Sequence, residues 1–326
     1  MARNESTNEP LFIRASEIVP KEIRWLWYPF FPLGKVSIVQ GNPGDGKSFF
    51  LLTIAALLTT GRPLPFSERE PEEPMTVIYQ TTEDDAEDTV VPRFLDAGGD
   101  GDRLIFIKEE ANKLTFADER IGEVIRQTGA KLLILDPLSS YIGMCSINSA
   151  NEVRPQFNHL IRAAKENDCA IIVVDHMNKM TGQSIIFRTV GSIDIVGAVR
   201  SVVTVVMNSG RDKRYFVLSK SNLAPLGSCI VFTLDNNGIT FLEEMDARAE
   251  ELIENGTSVI GRPDERLQKA VQFIRTMLDE GAVPSSECEK RLDEAGIKTS
   301  TAKTAKKLLG VVSTKTGHSW SWSLPQ

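Results

Sequence analysis

One eight-residue stretch, Gly41-Asn42-Pro43-Gly44-Asp45-Gly46-Lys47-Ser48, constrains the fold of this chain more than any other. Ahead of it, Lys35-Val36-Ser37-Ile38-Val39-Gln40 is a short β-branched apolar run, the pattern of a buried strand. Behind it, Phe49 to Thr59 is apolar and rich in helix formers. A strand therefore hands over to a helix across a loop with glycines at 41, 44 and 46. Glycines let successive backbone N–H groups turn inward without Cβ clashes, and the helix N-terminus adds partial positive charge at the same place. Such a nest suits a polyphosphate, and G-x-x-x-x-G-K-S in this setting is the P-loop pattern. The expected ligands are ATP and Mg²⁺. Gly41, Asn42, Pro43, Gly44, Asp45, Gly46, Lys47, Ser48 and Phe49 form the cradle, with Lys47 on the β/γ-phosphates and the Ser48 hydroxyl on the metal.

Bulk properties narrow the classes. A chain of 326 residues accommodates one large and one small domain, or two of medium size. A net charge of −7 argues against a surface coated uniformly by nucleic acid, while leaving room for local basic patches. Four scattered cysteines (Cys145, Cys169, Cys229, Cys288) without a C-x-x-C pair indicate neither a zinc site nor a disulfide framework. The first ten residues are polar, and no stretch is apolar and long enough to span a membrane. The expectation is a reduced, cytoplasmic protein.

Aromatic residues Trp25, Trp27, Tyr28, Phe30 and Phe31 precede the P-loop strand; they either pack the edge of the core or offer one ring to a nucleotide base. Met75 to Gln80 reads as a second strand, followed by Thr81-Thr82-Glu83-Asp84-Asp85. An acid at the C-terminal end of a parallel strand points into the ligand crevice of such a sheet, which makes Glu83 the candidate general base. Asp84 and Asp85 suit the first turn of the following helix, residues 86–97; a shifted register would exchange the roles of Glu83 and Asp84. Leu104 to Ile107 is a third strand and residues 117–129 a helix. Leu132-Leu133-Ile134-Leu135-Asp136 has the Walker B pattern, a buried strand delivering Asp136 to the metal shell. After a helix over 151–167, Ala170 to Val174 leads into Asp175-His176. His176 is either a satisfied core histidine or a sensor of the γ-phosphate.

Residues 178–190 read as a loop holding Lys179 and Arg188 but no acid, which fits contact with an anionic polymer or a plain solvated loop. A short helix ends near Arg200. Strands over 201–207, 215–219, 229–234 and 239–242 alternate like an antiparallel meander, and 241–256 is acidic and helix-prone. The last segment reads as three helices (265–280, 284–295, and 300–309 with Ser300 as N-cap) and a β-wing over 311–324. It contains no Asp or Glu after residue 294. Lys303, Lys306 and Lys307 fall on the third helix, the recognition helix if the segment is a DNA-binding winged helix-turn-helix; a protein-docking module of the same shape is the alternative.

Taken together, G-N-P-G-D-G-K-S, T-T-E-D-D, L-L-I-L-D-P, V-V-D-H-M-N-K, G-S-I-D-I-V-G-A-V-R-S and S-K-S-N resemble the RecA-like ATPases of the DnaB/RepA hexameric-helicase group, closest to the compact RepA-type plasmid and phage members. The resemblance spans about residues 15–242. It implies phosphate and Mg²⁺ binding by Lys47 and Ser48, metal support by Asp136, catalysis by Glu83, and γ-phosphate sensing by His176. It also implies that Arg200 is an arginine finger given to the neighbouring subunit's nucleotide, with a strand-start arginine paired to a core acid as the bland alternative. Lys220 would contact a phosphate, while Asn222 departs from the second arginine of the DnaB type.

The resulting expectation is an α/β chain. A RecA-like P-loop NTPase core with a mostly parallel sheet and antiparallel edge (15–248) follows a disordered tail (1–14), and a linker (249–264) leads to a small winged-helix domain (265–326). Function is expected to be that of a ring-forming, hexameric, Mg²⁺-dependent ATPase that hydrolyses ATP between subunits. It acts on single-stranded DNA as a helicase or translocase in replication of a plasmid, phage or integrated element, with duplex DNA a further partner of the winged helix. An accessory recombination ATPase and an ATP-switched DNA-binding initiator are the rivals.

Overall fold

A computed structural model describes residues 12–67, 73–109, 112–143, 149–177, 193–208, 210–249, 251–252, 265–279, 281–297, 299–316 and 319–324. The chain divides into two compact units, Met1–Gly256 and Thr257–Gln326.

In chain order the strands of the larger unit are β1 (Trp25–Trp27), β2 (Phe31–Pro32), β3 (Val36–Gly41), β4 (Val77–Thr81), β5 (Leu104–Ile105), β6 (Leu132–Asp136), β7 (Ala170–His176), β8 (Ser201–Met207), β9 (Arg214–Ser221), β10 (Ser228–Asp235) and β11 (Gly238–Asp246). Its helices are α1 (Lys47–Thr59), α2 (Val91–Asp96), α3 (Glu119–Thr128), α4 (Leu138–Tyr141), α5 (Ala150–Asn167) and α6 (Ile193–Ala198). A nine-stranded sheet is ordered β11-β10-β9-β8-β3-β7-β6-β4-β5. From β5 to β8 every pairing is parallel; β8–β9, β9–β10 and β10–β11 are antiparallel.

The central strands are apolar on both faces because helices cover both faces. Strand alternation sends Val39, Tyr79, Ile134, Val174 and Val203 to one side, where they meet Phe50, Leu51 and Ile54 of α1. Ile38, Ile78, Leu133, Val173 and Val202 point to the other, onto Ile121, Phe157, Leu160 and Ile195 of α3, α5 and α6. Helix α1 is buried nearly all round because the β1–β2 aromatics pack beside it. Trp27 lies almost parallel to Phe50 and Phe216 with centroids 6.2 and 5.8 Å away, and Phe50 stacks on Phe216 at 4.1 Å. With Trp27, Phe30 and Phe31 at most 2 % exposed, these rings are core and not base platforms.

Two sequence expectations for the larger unit differ from the structure. Residues 201–207 are not merely part of a meander: β8 pairs in parallel with β3 on one side and antiparallel with β9 on the other, so it joins the two halves of the sheet. The acidic stretch from residue 241 does not begin a helix, because β11 continues to Asp246 with Glu243 and Glu244 opposite Val231 and Ile230. Edge-strand pairing outweighs the weak helical preference of the glutamates, whose side chains remain in solvent.

The smaller unit contains α7 (Glu265–Leu278), β12 (Val283–Pro284), α8 (Ser285–Glu294), α9 (Thr299–Leu308), β13 (Val312–Thr316) and β14 (Ser319–Ser323). Its strands pair antiparallel in the order β12-β14-β13, and its core is built on Ala270, Ile274, Leu278, Cys288, Leu292, Ala305 and Trp322. Helix α9 starts one residue earlier than expected, so Ser300 lies in the first turn and not at the cap.

Candidate nucleotide site

Register brings the chemistry together. Gly41 of β3 pairs with His176 of β7, and Thr81 of β4 pairs with Asp136 of β6, so the phosphate loop and three polar strand ends share one edge of the sheet. Gly41 is required by the close approach of β8: a Cβ there would sit 2.7 Å from the Val205 carbonyl oxygen. Pro43 and Gly44 form the exposed tip of the loop, and Gly46 enters α1 at a φ of 92°. Asp45 folds inward, where its Oδ2 accepts the Asn42 N–H at 2.8 Å and the Asn42 side-chain amide at 3.2 Å. That inward turn preorganises the loop from within.

Lys47 donates from Nζ to the Gly41 and Asn42 carbonyls, both at 3.0 Å, and lies 3.2 Å from His176 Nδ1. Burial lowers its pKa below the ordinary lysine value, opposed by the surrounding charges of Asp45, Asp136, Asp175 and Glu83. These carboxylates favour the charged form of the lysine, against its burial.

Next to it, Ser48 donates to Asp136 Oδ2 at 2.6 Å, and the Tyr79 hydroxyl donates to the same oxygen at 3.0 Å. Burial pushes the Asp136 carboxyl above its usual range, and these two donors and Lys47 oppose the shift. A hydroxyl and a carboxylate in contact beside the phosphate loop are a hard-oxygen set that fits Mg²⁺ carried by a triphosphate.

The three acids after β4 separate by partner. Asp85 caps the turn that follows, accepting from Glu87 N at 2.8 Å. Asp84 pairs with Arg93 at 3.1 Å, and that guanidinium lies over the Phe49 ring. Glu83 is more than half exposed, and its Oε2 lies 3.5 Å from His176 Nε2. His176 thus lies between Lys47 and Glu83, in contact with both. Thr81 braces this corner, its hydroxyl oxygen receiving the backbone N–H groups of Glu83 and Asp84 at 3.3 and 3.4 Å.

Other expected site residues lie apart from this cluster. Arg200 precedes β8; its backbone N–H donates to Val36 O and its carbonyl accepts Asn222 N–H at 3.1 Å. Its side chain is exposed and makes no ion pair among the described residues, so the core-acid alternative finds no support there. The ammonium of Lys220, the expected phosphate contact, caps the C-terminal end of α6 within the chain, donating to the carbonyls of Val196 and Val199 (3.0 Å for the latter). Lys179 and Arg188 lie outside the described residues. In the smaller unit Lys303 is exposed, Lys306 sits 3.4 Å above the centre of the Trp322 ring, and the Lys307 side chain lies outside the described set.

Two residues in or beside the site were missed in the sequence. Tyr79 carries a hydroxyl among the apolar residues that face α1, two residues before Thr81 and on the same face. Arg214 carries a charge on the stripe shared with Phe216 and Leu218, which faces α1. Each is a polar atom at an apolar strand position, a signal that periodicity alone does not rank.

No curated protein matches the chain. Residues 3–182, more than half of it, match the AAA_25 family, described as an AAA domain; the match runs through the phosphate loop, Glu83, Asp136 and His176 and stops short of Arg200. Domains of this class typically bind ATP and Mg²⁺. With a phosphate loop, a strand-borne Asp136 bonded to Ser48 and a large mostly parallel sheet behind them, the chain belongs to the AAA_25 family of AAA-type P-loop ATPases.

Proposed function

We propose that this protein is a RecA-like ATPase of the DnaB/RepA group, RepA-type in kind, that assembles as a ring, hexameric by the resemblance, on single-stranded DNA during replication of a mobile element. The observation that carries the reading is the His176 ring lying between the P-loop Lys47 and the strand-end Glu83. It connects the place where a γ-phosphate is held to the carboxylate placed for water.

In this reading Lys47 and the loop amides hold the β- and γ-phosphates. Glu83 accepts the proton of the attacking water as its oxygen bonds to the γ-phosphorus and the bond to the β-phosphate oxygen breaks. Ser48 and Asp136 would hold Mg²⁺, which would neutralise phosphate charge when bound. His176 registers the change in charge at the γ position through its contacts with both residues. Arg200, exposed and without an ion-pair partner among the described residues, serves the nucleotide of the neighbouring subunit, so hydrolysis depends on assembly. Lys179 and Arg188 contact DNA phosphates. The smaller unit, with three helices and a three-stranded sheet, acts as a winged helix on duplex DNA. Its contact set is led by the exposed Lys303, because Lys306 is engaged with Trp322.

The experiment is ATP hydrolysis with and without single-stranded DNA, beside Glu83→Gln. Turnover stimulated by DNA, and lowered about 10²- to 10⁴-fold in Glu83→Gln while nucleotide binding persists, is the expected result. Turnover indifferent to DNA would overturn a ring that works on single-stranded DNA and favour an ATP-switched DNA-binding protein. Unchanged turnover in Glu83→Gln would assign the base elsewhere.

A further inference from the structure

Arg214 opens β9, opposite Met207 of β8 and Phe232 of β10. Strand alternation places it with Phe216 and Leu218 on the face that packs against α1, an apolar stripe where a guanidinium is out of place. Its position is beside the phosphate loop. Its Cδ and Nε each lie 3.5 Å from where a side chain on Gly46 would begin, and its charge opposes the burial of Asp45. Its donors are poorly used: Nη1 makes one long bond to the Leu234 carbonyl, 3.4 Å, and the buried Nε has no hydrogen-bond partner. A buried donor without an acceptor is costly and uncommon, and at a site built for anions it points to an acceptor that arrives with the ligand.

The two cations of the loop sit at opposite ends. The ammonium of Lys47 lies with Gly41, Asn42 and His176, on the side of Glu83, whereas Arg214 lies at Gly46. We propose that Arg214 is a nucleotide-binding residue of the same chain, donating to an oxygen of the part of the nucleotide that is not transferred, on the α-phosphate side. This rests on the nucleotide-site reading above. Because the contact is remote from the bond that breaks, it is made equally with ATP and ADP and contributes uniform binding, unlike Arg200.

Arg214→Met keeps the aliphatic stem against Gly46 and removes the donors. Affinities for Mg-ADP and for a non-hydrolysable Mg-ATP analogue would be measured by calorimetry, together with the ligand-free melting temperature. Both dissociation constants are expected to rise in parallel, by about ten- to a hundredfold for a lost hydrogen bond to a charged group, with ligand-free stability kept or raised. Arg214→Lys, which restores charge but not the planar fork, should fall between the two and serves if the methionine variant does not fold. An unchanged ADP affinity would overturn the proposal, leaving Arg214 a brace for Leu234. Loss confined to the ATP analogue would overturn it too, by moving the contact to the γ-phosphate. If the wild-type protein binds neither ligand, the nucleotide-site reading itself fails; wild-type binding with an indifferent Arg214→Met defeats this inference alone.

Discussion

Asp45 shows how the loop is charged against itself. Its side chain is 1 % exposed, and burial pushes its carboxyl above the ordinary 3.8, although the Asn42 N–H, Lys47 and Arg214 pull the other way. An acid raised in the folded state binds its proton more tightly folded than unfolded. Its contribution to stability is therefore complete below pH 3.8 and is lost as pH climbs through the raised value, leaving a net cost at neutral pH. Asp45→Asn keeps an acceptor for the Asn42 N–H and removes that cost. The ligand-free variant should melt above wild type at pH 7, with the gain shrinking towards zero as the pH is brought down to about 4. Calorimetry across that range checks it; a lower melting temperature at pH 7 would mean that the charge itself organises the loop. Glu83, Asp84 and Asp85 make the complementary point. Three adjacent carboxylates acquire different partners, His176, Arg93 and Glu87 N, because the strand ends and a turn begins between them.

Among the elements, α6 and β9 form a unit that presents Arg200. The Lys220 ammonium is bonded to two carbonyls near the end of α6, and the Asn222 N–H holds the Arg200 carbonyl, so the K-x-N segment braces the residues on either side of that arginine. Burial and the nearby Arg200 charge both lower the Lys220 pKa, as expected of an ammonium used inside the protein. Lys220→Met leaves two helix-terminal carbonyls without their donor. Backbone amides over residues 195–200 should then exchange several-fold faster in the nucleotide-free protein, measured by hydrogen–deuterium exchange. Unchanged exchange there would return Lys220 to the role of a phosphate contact. The arrangement also explains why an asparagine suffices at 222: its backbone, not its side chain, makes the contact.

For the whole molecule the question is whether one chain completes a site. Glu83 and His176 stand at one group of strand ends, while Arg200 is exposed before β8 without an ion-pair partner among the described residues. If Arg200 serves the neighbour, Arg200→Ala and Glu83→Gln each lower turnover severely, but a mixture of the two regains a fraction of it. Some interfaces then combine an intact Glu83 from one chain with an intact Arg200 from the next. Steady-state ATPase assays on mixed and separate variants read this directly; no recovery on mixing would place Arg200 in its own chain's chemistry or outside it. No helix among the described residues is long and apolar enough to cross a membrane.

The local pattern alone determined a great deal. Strand, glycine loop and helix around Lys47 are written in consecutive residues, and so is the apolar run ending in Asp136, because each depends on near neighbours and a short period. The parallel block with an antiparallel edge was equally legible in the alternation of strands and helices. Tertiary structure decided what sequence distance hides. It set β8 beside β3, carried β11 through acidic residues that locally favour a helix, and sent the aromatics of β1 and β2 into the core. It also set Tyr79 on Asp136, His176 between Lys47 and Glu83, Lys220 on α6 and Arg214 on the phosphate loop. These contacts join strand ends far apart in the chain. The register of the sheet, which no single segment encodes, determines which polar atom each one meets.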